Sequence, residues 1–116
     1  MATDILNQYR DIILDYEVVL HRVRRDLEQI KIIAYLGDGT NLRISEVFVS
    51  GVLKRYSYYW LDQDNDLLIG WDNSNHHFEI ETFPHHRHRR ERIEASQQQN
   101  LSDVLNYISA KIRGKG

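Results

Sequence analysis

The chain is 116 residues long, 13.8 kDa in mass, 41% hydrophobic and 28% charged, which suits one soluble globular domain spanning 1–116. It has no cysteine, which excludes disulfides, iron–sulfur clusters, thiolate zinc sites and cysteine nucleophiles. No apolar run approaches the ~18 residues of a membrane span, and Asp4, Asn7, Gln8 and Arg10 break up the N-terminus where a signal peptide would be apolar, so the expected setting is the cytoplasm.

Thr3-Asp4 followed by Ile5, Tyr9, Ile12 and Tyr16 at spacings of three and four predicts a helix near residues 4–14. Residues 15–36 alternate as strands do (Val19, His21, Val23, then Ile30, Ile32, Ala34, Leu36), and the β-branched valines favour strand over a continued helix. Gly37-Asp38-Gly39-Thr40 is a turn, and Leu42, Ile44, Glu46 and Phe48 then share one face. In residues 52–61, Tyr56, Tyr58 and Trp60 share a face and Tyr59 lies on the other. The polar run Asp62-Gln63-Asp64-Asn65-Asp66 reads as a hairpin turn before a short strand from Leu67 to Trp71. It starts like a calcium loop but has Leu67 at the sixth position and Asn73 at the twelfth, where that loop needs Gly and Glu. Asn100 with Asp103 predicts a capped last helix whose stripe is Leu101, Val104, Leu105, Ile108 and Ile112. The expected fold class is α+β, an antiparallel β-meander of about 4–6 strands flanked by an N-terminal and a C-terminal helix. An exposed edge strand in such a sheet makes a homodimer by strand pairing plausible.

The formal net charge of −2 hides a local asymmetry. Residues 62–81 carry six acidic side chains and no Lys or Arg, and the next twelve carry Arg87, Arg89, Arg90 and Arg92 against Glu91 alone. Five of the six His fall between residues 76 and 88. Imidazoles suit acid–base work near neutral pH, and guanidinium forks match phosphate oxygens. The segment therefore reads either as a solvated basic edge or as a site of metal-free phosphodiester cleavage. One of His85, His86, His88, His76 or His77 would deprotonate a ribose 2′-hydroxyl and another would protonate the leaving oxygen. Asp72 would orient an imidazole, and Arg87, Arg89, Arg90 and Arg92 would hold phosphate. If residues 85–92 are extended, His86, His88, Arg90 and Arg92 share one face and His85, Arg87 and Arg89 the other. His86 and His88 at i, i+2 are the pair a metal would use, but no cofactor is expected. The aromatic strand could stack bases, though alternate aromatics more often pack a sheet on a helix. Glu46, on an apolar face, would need an Arg or protonated His as partner if buried.

The motifs Tyr56-Ser57-Tyr58-Tyr59-Trp60, Trp71-Asp72-Asn73 with His76-His77, and Thr82-Phe83-Pro84-His85-His86-Arg87-His88 resemble the TumE-like family of type II toxin–antitoxin toxins. The resemblance covers about residues 35–110. It departs at Tyr59, where the family pattern has His, and at Gly70, where it has Arg or Lys. It retains Glu46, Tyr58, Trp71, Asp72, His76, His77, His85, His86 and His88, with Tyr58 and Trp71 as further RNA contacts and Glu46 in support. The resemblance implies a growth-inhibiting toxin with a cognate antitoxin. By analogy with other small toxins it implies an endoribonuclease. The alternatives are a non-enzymatic RNA- or antitoxin-binding regulator and a metal-dependent nuclease.

Overall fold

Alternating apolar and polar residues separated by Gly, Asp and Asn turns give the chain five long strands in succession. The computed structural model describes residues 2–73, 85–89, 92–95 and 98–114. Helix α1 (Ala2–Asn7) leads into β1 (Ile13–Arg24), β2 (Leu27–Leu36), β3 (Asn41–Val49), β4 (Val52–Leu61) and β5 (Leu67–Asp72). Two four-residue strands, β6 (His86–Arg89) and β7 (Arg92–Ala95), extend the sheet, and α2 (Leu101–Gly114) follows. The strands lie in chain order, every neighbouring pair antiparallel. The expected α+β meander between two helices is thus present.

The turns use the chemistry their sequences offer. In the β2–β3 turn Gly39 has φ +89, the left-handed region where a Cβ is strained. Asp38 Oδ1 accepts from the Thr40 N–H (3.0 Å) and hydroxyl (2.6 Å), and Thr40 Oγ1 accepts from Trp60 Nε1 (2.8 Å). In the β4–β5 turn Asp62 Oδ1 accepts from the N–H groups of Asp64 (2.9 Å) and Asp66 (3.0 Å). The acidic run is a hairpin turn, as its sequence predicts.

One expectation is corrected. The first helix ends at Asn7, not near residue 14. Bonds from Gln8 N to Ile5 O and from Tyr9 N to Leu6 O tighten the chain to i, i+3 turns, and β-branched Ile12 and Ile13 then lead into β1. The helical spacing misleads because Ile5, Leu6, Tyr9, Ile12 and Tyr16 all join one apolar layer, from helix, turn and strand alike.

That layer lies on one face of the sheet. Ile30, Ile32, Ala34, Leu42, Ile44, Tyr56, Tyr58, Trp60, Ile69 and Trp71 meet Leu101, Val104, Leu105 and Ile108 of α2. Burying a Leu or Ile side chain contributes about 1.5–3 kcal/mol. The Asn100 side chain accepts from Asp103 N–H (2.9 Å) while Asp103 Oδ2 accepts from Asn100 N–H (3.0 Å), the reciprocal cap the sequence predicts. Tyr9 donates to Asn106 Oδ1 (2.5 Å) and Arg113 pairs with Asp11, which ties the α1 segment to α2. Among the described residues no element covers the opposite face of the sheet, and no helix is long and apolar enough to cross a membrane.

Candidate functional site

Residues directly opposite in an antiparallel ladder share a face. The pairs Lys31↔Ser45, Ser45↔Ser57, Ser57↔Asp72 and Asp72↔His86 therefore form one row across β2 to β6. The next row on that face is Ile33, Arg43, Tyr59, Gly70 and His88. Both rows lie on the face away from α2, because Tyr58 and Trp71, one residue out of step, pack into the core.

Three side chains of these rows converge. Asp72 Oδ2 accepts from the Tyr59 hydroxyl at 2.5 Å and lies 2.7 Å from His88 Nε2. Asp72 is 5% exposed, and a buried carboxylate needs such partners. As an ionised carboxylate Asp72 only accepts, and the His88 tautomer that satisfies it carries its proton on Nε2. Burial raises the Tyr59 hydroxyl well above its ordinary value, and the bond to Asp72 and that residue's charge raise it further. Tyr59 is therefore a fixed donor that holds the carboxylate in place. The half-buried His88 ring sits 6.0 Å from the Tyr59 ring, tilted by 59°.

Tyr59 and Gly70 are cross-strand partners. A Cβ on Gly70 would lie 2.1 Å from Tyr59 Cδ1. The absent side chain makes room for the ring that carries the hydroxyl to Asp72.

The α2 face holds a second polar set. His85 stacks on Tyr56 (centroids 5.8 Å, interplanar 10°), with Nδ1 2.9 Å from the Tyr56 oxygen. That hydroxyl is pushed up to about 12 by burial, with the Gln99 N–H opposing the rise. The Tyr58 hydroxyl donates to Glu46 Oε2 at 2.6 Å. Burial raises the Tyr58 hydroxyl strongly, helped by the Glu46 charge, and burial raises the Glu46 carboxyl against the opposing Tyr58 bond. The partner of Glu46 is thus a tyrosine, not the Arg or His its sequence position suggests.

Several expected site residues are placed elsewhere. Tyr58 and Trp71 are 0% and 2% exposed and offer no ring face to a base. Trp71 meets Tyr107 edge-on at 5.3 Å. Arg87 and Arg89 stand opposite Trp71 and Ile69, half-buried on the α2 face with His85 and away from His88. Residues 85–92 are not one extended run. Strand β6 ends at Arg89, and Arg92 returns in β7 opposite it. His76, His77 and Arg90 lie outside the described residues, as do the side chains of His86 and Arg92.

The described cations that share the open face with His88 come instead from other strands. Lys31, Arg43 and Arg55 are all exposed on the open face. A hollow of about 290 Å³ is lined by Lys31, Ser45, Arg55, Ser57, Tyr59 and Asp72. A second of about 290 Å³ is lined by Lys31, Ile33, Arg43, Ser45 and Ser57, sharing three residues with the first. Their signal in the sequence is parity: each falls on the strand positions opposite to the apolar stripe.

A family model described as Toxin TumE matches residues 2–112, nearly the whole chain. No curated protein and no solved structure matches.

Proposed function

The chain belongs to the TumE toxin family, and from that premise we propose that it is a metal-independent endoribonuclease with His88 at its acid–base centre. Family membership makes it the toxin of a toxin–antitoxin system, with an antitoxin as partner. The observation that carries the catalytic reading is the shared Asp72 oxygen, held by Tyr59 and bonded to His88 Nε2. A carboxylate in that position fixes the imidazole tautomer, which assigns proton transfer to Nδ1.

The reaction follows from these parts. His88 takes the proton of a ribose 2′-hydroxyl, whose oxygen attacks the adjacent phosphorus. The bond from phosphorus to the 5′-oxygen breaks, and that oxygen receives a proton. The products are a 2′,3′-cyclic phosphate and a 5′-hydroxyl. His86, opposite Asp72 in the ladder, is the candidate for delivering the second proton. Arg43, beside Tyr59 in its row, is the candidate for the charge that develops on the phosphoryl oxygens. The chemistry of the donor set favours this over a metal. Asp72 Oδ2 already accepts from Tyr59 and His88, and Lys31 and Arg55 line the same hollow, so a cation there would meet like charge.

The test is incubation of the purified full chain with end-labelled single-stranded RNA in excess chelator. Cleavage to cyclic phosphate ends is expected, falling about 100-fold or more in His88→Ala. Intact RNA with the unsubstituted protein overturns the reading. Cleavage that stops with chelator and returns with a divalent cation overturns its metal independence.

A further inference from the structure

We propose that the open face of the sheet is a binding track for single-stranded RNA, crossing β2 to β5 at right angles to the strands and ending at Asp72 and His88. The inference deepens the ribonuclease reading and rests on it for the location of the reacting phosphate.

Three observations carry it. The first is charge. The charged residues lining the two hollows are Lys31, Arg43, Arg55 and Asp72, and Asp72 is engaged by Tyr59 and His88. The surface left to a ligand is cationic, which fits a polyanion. The second is the floor. Ser45 and Ser57 sit between Lys31 and Asp72 in the same transverse row, and hydroxyls are common partners of phosphate and sugar oxygens. The third is continuity. The hollows share Lys31, Ser45 and Ser57, and one of them reaches Tyr59 and Asp72. Neighbouring strands lie about 4.8 Å apart, so the row from Lys31 to Asp72 spans roughly 14 Å.

The shape selects a single strand over a duplex or an acidic protein. The track lies along neighbouring rows of an open sheet face, the kind of platform on which unstacked nucleotides are held by basic side chains and an aromatic ring. Tyr59 supplies the ring. An acidic protein segment would be drawn by the same cations, but nothing in its chemistry would require the track to end at an acid–base centre.

The experiment uses the full chain with His88→Ala, so that the probe stays intact, and a fluorescein-labelled 12-nucleotide single-stranded RNA. Binding is followed by anisotropy across a salt series. Lys31→Gln, Arg43→Gln and Arg55→Gln are combined in one variant. A control combines Arg10→Gln, Lys111→Gln and Arg113→Gln, which removes equal charge from the helical side. The expected result is at least about a tenfold loss of affinity at low salt in the track variant, with a salt slope shallower by about 2, and little change in the control. Equal affinity and slope in the track variant and its parent overturn the proposal, as does a loss of the same size in the control. So does a labelled poly-glutamate peptide that binds in place of RNA and loses affinity in the track variant. RNA binding that behaves as expected, together with no cleavage by the chain with His88 intact, supports the track and overturns the catalytic reading, so the two failures are distinguishable.

Discussion

Gly70 lies beneath the ring of Tyr59, and its missing side chain is what lets that ring reach Asp72. In Gly70→Ala the new methyl would sit 2.1 Å from Tyr59 Cδ1, far inside contact distance, so the ring must move and the hydroxyl must leave Asp72. We expect reduced activity with a smaller effect on folding, and the double change Gly70→Ala with Tyr59→Ala should fold better than Gly70→Ala alone. Thermal melts and activity measured side by side check this. Glu46 offers a second test, on the other face. Burial raises its carboxyl above the ordinary value of 4.5, so folding favours its protonated form. That contribution is whole below the ordinary value and is lost as pH rises through the raised one. Relative to the parent, Glu46→Gln should therefore melt higher at pH 7, with the difference closing towards pH 4. Tyr58→Phe at pH 7 leaves the buried carboxyl without its donor and should lose about 1–3 kcal/mol.

At the level of elements, the last helix was readable in full. Its cap, Asn100 with Asp103, and its stripe of Leu101, Val104, Leu105 and Ile108 are local features, and each is where the sequence puts it. Asn100→Ala should cost about 1 kcal/mol, and Leu105→Ala about 2–5 kcal/mol, as measured by denaturant unfolding. The meander was readable for the same reason, since Gly39 and Asp62 sit at turns whose chemistry is local. The end of α1 was not, because Tyr9 and Tyr16 bury in the same layer whether they sit in helix, turn or strand. Nor was the break in the His/Arg run. Alternation along one strand correctly separates His88 from His85, Arg87 and Arg89, but no local feature announces that the strand stops at Arg89 and returns as β7.

Across the whole molecule the sheet divides the labour. One face meets α2 and holds the aromatic core with the buried pair of Glu46 and Tyr58 and the part-buried pair of Tyr56 and His85. The other face carries Lys31, Arg43, Arg55 and the set formed by Tyr59, Asp72 and His88. The contrast between the acidic stretch and the basic stretch singles out residues 62–92, but the described cations that share a face with His88 come from β2, β3 and β4, far away in sequence. Only the register of five strands brings them together, and register between distant strands has no single-residue signal. The most direct test of the central claim, that the toxin acts through this face, is growth of cells after induced expression of the full chain, of His88→Ala and of His21→Ala. His21, which bonds Glu28 at the edge of the sheet, is the imidazole control. All three proteins should be present at equal soluble levels. The expected result is arrested growth with the parent and with His21→Ala, and normal growth with His88→Ala. Full arrest by His88→Ala would contradict the claim.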